Sequence, residues 1–342
     1  MKKLLIGVMA AAICLSAAAG GAVRAEAKQN ARVQDIEKTL MKQIGGMPKL
    51  NTGEKYGALV ISLTNPFWVT MKDSYIAAAN QYGVKIDVMA APTEGDKQSQ
   101  LETLNGMVLK NYKGIVLSPI EPFNLLPGIA EANKNKVPVV NLGPGINTEK
   151  LKEMGGHLDG RLTVNFERQG ELVAKDIATK LKGKGKVAII QGIPGAGQSE
   201  GRTAGAKKGF ASGGLELVSV QPANWDSTAA YNAASDLIQA HPDLKAIFAC
   251  NDVMALAVSK ALIDAKAKSK ILVYGIDGTE EAKKAILEKR MDGTVTYPQS
   301  VYAKAALLMM MKLSQGMKLP ATVFCPLDII TSDNISQFND YK

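Results

Sequence analysis

Three side chains able to hold a small molecule follow the first strand-like run of the chain: Asn65, Phe67 and Trp68, with Pro66 between them. Pro66 cannot continue a hydrogen-bonded ladder and pre-sets its own φ, so it ends the strand-forming run 56–63. The three side chains are thereby held at the carboxyl edge of that strand. In an open α/β sheet, this edge is where small ligands bind. Two aromatic faces beside one amide suit a flat, polyhydroxylated ligand. The rings cover its C–H side, and the amide can both donate and accept hydrogen bonds. The same rings could equally pack beneath the helix that follows, and this stretch alone leaves both readings open.

Comparable residues recur at later strand ends. The apolar run 246–250 leads into Asn251-Asp252, the run 271–276 into Asp277-Gly278, and the run 215–220 into a segment containing Asn224, Trp225 and Asp226. Asp226 and Asp252 are expected to be helix N-caps. Asn251 and Asp277 stand one position earlier, where an amide and a carboxylate can face a cleft and bond ligand hydroxyls. Trp225 offers a second stacking face. Arg202 lies just inside a helix start, where the dipole does not favour a cation, so a ligand-facing role is expected for it.

Two other patterns are decoys. Gly195-Ala196-Gly197 with Gly201 resembles a dinucleotide fingerprint, but its last spacing is one residue too long. Residues 197–201 (GQSEG) match a nucleophile elbow on paper, yet five residues separate Gln191, the end of the expected strand, from Gly197. The only later histidine, His241, sits in a His-Pro-Asp turn. With two histidines in the chain, His157 and His241, no metal-ligand cluster forms, and neither an enzymatic activity nor a cofactor is expected.

The elements that must position these residues alternate with great regularity. Strands at 56–63, 84–90, 114–117 and 137–142 are separated by helical patterns at 71–82, 98–110 and 125–135. The rhythm breaks over a glycine-rich stretch, 143–160, and restarts. Strands at 186–191, 215–220, 246–250, 271–276 and 293–297 then interleave with helices at 169–180, 201–212, 227–240, 253–265 and 280–288. A helix at 302–313 and one strand at 322–329 close the chain. Short, near-continuous apolar runs alternating with helices of three-to-four spacing predict parallel sheets with right-handed crossovers. The expected fold class is α/β: two doubly wound parallel-sheet lobes with a ligand cleft between them.

Before the first strand, Lys2 and Lys3 precede an apolar run from Leu4 to Ala19 and then small residues, the layout of a secretory signal peptide over residues 1–25. Cys14 follows bulky Ile13, so lipidation is not expected. Residues 26–54 are expected to form an extension that packs loosely on the body. Elsewhere no apolar run reaches the ~20 residues of a membrane span. Cys250 and Cys325 could pair in an exported protein, but two buried free thiols are the favoured reading. The formal charge of +9 includes Lys2, Lys3 and Arg24, which leave with the leader. The remaining basic residues are scattered, which argues against a nucleic-acid surface.

In combination, NPFW at 65–68, TEGDKQSQ at 93–100, NYKGI at 111–115, QPANWD at 221–226, ACNDVMAL at 249–256 and YGIDGT at 274–279 identify a resemblance. The chain resembles periplasmic sugar-binding proteins of ABC transporters, of the ribose-binding type. That resemblance implies a type I periplasmic binding protein fold: two lobes linked by three hinge strands, crossing near residues 155–165, 294–297 and 324–329. It implies an N-terminal lobe of 55–160 plus 297–325 and a C-terminal lobe of 161–296 plus 326–342. Ligand contacts carried over by position are Asn65, Phe67 and Trp68 in the first lobe and Arg202, Trp225, Asn251 and Asp277 in the second. Three positions depart from the family. Gly143 and Pro144 stand where an aspartate and often a basic residue are usual, Tyr297 replaces a glutamine, and Ile61 a serine or lysine. Gly143 and Tyr297 remain in the expected ligand set. The implied protein is a periplasmic monomer that closes on a sugar or polyol and presents it to a membrane permease. A receptor that loads a chemoreceptor or sensor kinase with a non-sugar metabolite is the alternative. Sugar-responsive repressors share the core fold, but they carry a DNA-reading helix pair where this chain has a leader.

Overall fold

The computed structural model describes residues 30–341. The expected leader, 1–25, lies outside the described residues, as do the first four residues of the extension. Along the first half run α1 (Ala31–Gln43), β1 (Lys55–Ser62), α2 (Pro66–Tyr82), β2 (Lys85–Ala91), α3 (Lys97–Val108) and β3 (Ile115–Leu117). There follow α4 (Leu126–Lys134), β4 (Val139–Leu142), α5 (Thr148–Glu153) and β5 (Gly160–Thr163). A second series comprises α6 (Phe166–Lys180), β6 (Lys186–Gln191), α7 (Gly197–Ser212), β7 (Glu216–Pro222), α8 (Ser227–Ala240) and β8 (Leu244–Ala249). It continues through α9 (Asp252–Asp264), β9 (Leu272–Ile276), α10 (Glu280–Leu287) and β10 (Gly293–Thr296). The chain ends through α11 (Gln299–Ser314), β11 (Val323–Phe324) and β12 (Asp328–Thr331).

These strands form two six-stranded sheets, ordered β11-β5-β4-β3-β1-β2 and β12-β10-β9-β8-β6-β7. Every pair is parallel except β10 with β12, which is antiparallel. The fold is therefore two α/β lobes. The chain passes between them three times: after β5, after β10, and between β11 and β12. The first passage falls beyond Thr163, because β5 pairs with β4 in the first sheet through Leu162. In both sheets the order reverses beside the first strand of the series, β1 or β6, so the edges that carry ligand residues face the gap between lobes.

Several expected boundaries shift, and the shifts share a cause. Helices α2, α6, α7 and α11 begin three to five residues earlier than apolar spacing predicts. Their first turns abut the gap between the lobes rather than packing into a lobe interior, so they lack the apolar period. In α2 the side chain of Asn65 accepts the Phe67 N–H and Pro66 occupies the first turn, which is N-capping with a helix-initiating proline. The glycine-rich stretch is not irregular throughout, since it holds α5, capped by Asn147, and the start of β5. The single terminal strand expected at 322–329 is two strands in different sheets, broken at Cys325-Pro326-Leu327, where Pro326 has no N–H to give a ladder.

The extension does not pack loosely. Val33, Ile36 and Leu40 of α1 lie on one face, at the helical spacing, and are buried. The helix also reaches both lobes. Asn30 Nδ2 donates to the Gln337 carbonyl (2.6 Å) and Arg32 Nε to Asp328 of β12 (3.0 Å). Lys304 of α11 pairs with Glu37 (2.9 Å), and Gln43 exchanges two 2.9 Å hydrogen bonds with the backbone of Phe324 in β11. The Lys312 ammonium seals the helix end, donating to the carbonyls of Ile44 (2.5 Å) and Gly45 (2.9 Å). Cys250 and Cys325 are free and buried.

Candidate functional site

A narrow cleft lies between the lobes. The structure brings Asn65, Phe67, Trp68, Gly143, Arg202, Trp225, Asn251, Asp277 and Tyr297 together around it. Ile61 is not among the lining residues; it is buried in the core near an irregularity of β1 between Val60 and Ser62.

One wall is aromatic. Phe67 meets Trp68 edge-on at 4.9 Å between centroids and 86°, and meets Tyr297 at 5.9 Å. Tyr297 in turn meets Tyr302 at 4.9 Å. Tyr302 is anchored by its hydroxyl, which donates to the Leu162 carbonyl at 3.0 Å. Edge-to-face contacts of this kind fix each ring and leave faces free for a ligand. Trp225 closes the opposite side on a backbone that few residues adopt, since Asn224 and Trp225 both have positive φ, +54° and +66°. Gly192 makes room for it: a Cβ there would stand 2.1 Å from the indole.

Across from the rings lies a charged group. Arg202 is buried and held at three points. Its Nε donates to Gln169 Oε1 (2.8 Å), its Nη1 to the Cys250 carbonyl (2.7 Å), and its Nη2 lies 3.5 Å from Asp277 Oδ1. Its guanidinium carbon stands 5.8 Å from the Phe166 ring centroid. Asp277 has a φ of +132°, a conformation rare outside glycine, and three hydrogen bonds hold it there. Its N–H donates to the Val295 carbonyl (2.9 Å), and its own carbonyl accepts from Thr296 Oγ1 (2.8 Å) and Gln299 Nε2 (3.0 Å). Burial pushes the Asp277 carboxyl well above the usual carboxylate range, and the Arg202 guanidinium opposes that rise.

The cap of α9 is Asn251, not Asp252. The Asn251 Oδ1 accepts the Met254 N–H at 2.9 Å from an extended backbone, while its Nδ2 is buried without a partner. The Asp252 carboxylate is drawn instead to the next strand end, accepting from Thr294 Oγ1 (2.7 Å) and the Thr279 N–H (2.8 Å). Asp226 does cap α8, accepting the Ala229 N–H at 2.7 Å. Gly143 adopts a positive φ of +73°, and its carbonyl is held by Thr163 Oγ1 at 2.8 Å. A Cβ on Gly197 of α7 would stand 3.9 Å from both Pro144 and Gly145, so the two rims of the cleft nearly meet.

Glu94, Gln198, Phe166 and Tyr302 also line the cleft and were not expected from sequence. Glu94 follows β2, so the strand-end rule that picked out Asn251 and Asp277 could have found it. Its Oε1 is buried and unpartnered. Burial raises its carboxyl to about 7, although the Asn65 amide, the Arg202 charge and the Trp68 indole all favour the ionised form. The first lobe, which lacks a carboxylate at Gly143, therefore supplies one from a different strand end. Among the described residues no cluster of three His, Cys, Asp or Glu side chains is placed to hold a metal, and no helix is long and apolar enough to cross a membrane.

Two α/β lobes around an aromatic and polar cleft define a solute-binding protein. The chain belongs to the periplasmic binding protein domain family, whose pattern matches residues 56–318. Among its relatives, the D-allose-binding periplasmic protein of Escherichia coli (strain K12) is 37% identical over 269 residues, covering 78% of this chain and 86% of that one. The ribose import binding protein RbsB of Bacillus subtilis (strain 168) is 29% identical over 285 residues, covering 82% and 90%. A solved ABC transporter periplasmic solute binding protein from Actinobacillus succinogenes 130z, with bound D-allose, superposes with a TM-score of 0.79 at 25% identity over 83% of this chain and 99% of that one. Helix α1 lies before the matched family region.

Proposed function

We propose that this chain is an exported solute receptor that closes its two lobes on a saccharide or polyol and delivers it to the permease of an ABC transporter. The observation that carries this reading is the cleft itself, where ring faces stand opposite Arg202, Asp277 and Asn251, groups suited to hydroxyls. Relatives named for allose and ribose support the same ligand class. In this reading Asn65, Phe67 and Trp68 hold the ligand from the first lobe, and Arg202, Trp225, Asn251 and Asp277 from the second. Gly143 and Tyr297 lie where the family usually hydrogen-bonds, so the guest is a saccharide other than the usual ribose or allose. A ligand that touches both lobes favours the closed state, and the permease recognises that state. The receptor works as a monomer in the periplasm after removal of residues 1–25, and the same closed face could load a chemoreceptor.

Melting temperatures across a panel of pentoses, hexoses and alditols test the proposal. A rise with one or a few members is expected, and no rise with any member counts against a carbohydrate ligand. Mass spectrometry of the exported protein should find a mature N-terminus after Ala25 or Ala27.

A further inference from the structure

The segment 192–201 (GIPGAGQSEG), whose glycines mimic a nucleotide fingerprint and a nucleophile elbow, delivers one neutral side chain to the cleft wall, Gln198. Gln198 stands in the first turn of α7 and is 8% exposed, and its Oε1 is buried without a hydrogen-bond partner. The structural duties of this turn belong to other residues. Glu200 Oε1 accepts from the Gly195 N–H (2.8 Å) and from Gln191 Nε2 (3.1 Å), which ties the loop to α7 and to the end of β6. No side chain caps the helix at Ala196, and the Gln198 oxygen does not bend back to do so. A buried acceptor left unpaired is costly, and a guest in the cleft is what can pair it.

Gln198 is also held in place. Arg202 lies four positions on, along the same helix face, and lines the same cleft. Helix α7 is fixed against α6 by an approach too close for side chains. A Cβ on Gly170 would stand 2.0 Å from the Arg202 carbonyl oxygen, and one on Gly205 1.9 Å from that of Glu167. Across the cleft, Gly143 leaves room. Beyond its chain neighbours, a Cβ there would meet only the Tyr302 hydroxyl, at 3.9 Å, and its φ of +73° disfavours any side chain. The start of α7 and the loop that carries Gly143 are neighbours, since a Cβ on Gly197 would stand 3.9 Å from Pro144 Cβ and from Gly145 N.

We propose that Gln198 is a specificity-determining ligand contact, whose amide hydrogen-bonds one hydroxyl of the guest in the space over Gly143. This rests on the carbohydrate reading of the same cleft. The amide is uncharged and brings an acceptor and two donors, which matches a hydroxyl in either sense. A guest without that hydroxyl leaves a buried polar atom unpaired, and a site built to bond a hydroxyl discriminates in this way. Gln198 approaches from the second lobe and Gly143 from the first, so the hydroxyl is gripped as the lobes close.

Isothermal titration calorimetry tests this with the best-binding member of a panel of pentoses, hexoses and alditols, and with the full set of its single-deoxy analogues. In the unaltered protein, the analogue lacking the contacted hydroxyl should bind about tenfold more weakly than its parent. In Gln198→Leu the parent should lose a similar factor, and that one deoxy penalty should vanish while the penalties at other hydroxyls persist. If every deoxy penalty persists in the variant, Gln198 contacts no hydroxyl and the proposal is overturned, whether affinity falls throughout or not at all. A crystal structure of the unaltered protein with the same sugar decides the matter even if the variant folds poorly. A ligand oxygen within hydrogen-bonding distance of the Gln198 amide is expected, and its absence overturns the proposal while the carbohydrate receptor stands. If no member of the panel binds, the carbohydrate reading falls and this one with it.

Discussion

Glu94→Gln should make the unliganded protein more stable above neutral pH and change little under acid conditions. The Glu94 carboxyl is raised from an ordinary 4.5 to about 7, with burial as the leading cause. Its folded value lies above its unfolded value, so the native state holds the proton more tightly. The associated stability is full below about 4.5 and is lost as pH rises through about 7. Each pH unit between the two values is worth about 1.4 kcal/mol, which makes the loss about 3 kcal/mol when complete. Glutamine keeps the shape and cannot ionise, so the variant escapes that loss. Urea unfolding of both proteins without ligand, from pH 5 to pH 8.5, reads the difference directly. The gap should widen by about 2–3 kcal/mol across that range, in favour of the variant. Asp252, also raised by burial, contributes a similar slope to both proteins, whereas Asp277, raised in part by the Glu94 charge, is relieved in the variant and adds to the difference in the same direction. Parallel curves across the range would refute the assignment of a carboxyl raised by burial to Glu94.

Other expectations follow from the same geometry. Asp277→Asn removes a charge-assisted acceptor worth about 1.5–3 kcal/mol, so calorimetric affinity should fall roughly ten- to hundredfold; unchanged affinity would exclude Asp277 as a ligand contact. Gly192→Val places a side chain where the indole of Trp225 lies, with the Cβ alone 2.1 Å away, so binding should weaken with a change in tryptophan fluorescence. Leu40→Ala empties a buried position in α1 and should cost about 2–5 kcal/mol in chemical unfolding, whereas a loosely attached extension would give almost none. Burial raises the Cys250 thiol to about 11, and Cys325 is raised further, so neither should react with a thiol reagent at pH 8 until the protein is unfolded.

The alternation of elements, the two-lobe division and seven of the nine residues gathered at the cleft were legible in the chain because each depends on local rules, while Gly143 and Tyr297 entered through the family resemblance. Parallel strands buried on both faces must be apolar runs, and residues just past such runs must sit at one sheet edge. Asp226 shows its cap by position alone, whereas Asn65 and Pro66 carry a helix start that the apolar period placed five residues too late. Where the reading missed, the deciding contacts come from far along the chain. Which of Asn251 and Asp252 caps α9 depended on Thr279 and Thr294 arriving to take the second carboxylate. The fate of residues 322–329 depended on two sheets competing for adjacent segments, and the tightness of α1 on partners near 304, 324, 328 and 337.

By itself, then, the order of residues determined which elements form and which side chains stand at their ends, since backbone propensity, capping and apolar period act over a few positions. Only the packing of the two lobes decided that Glu94 Oε1 is buried at the cleft without a hydrogen-bond partner. Desolvation and charge pairing are properties of a closed space, and that space is built from segments that meet only in three dimensions.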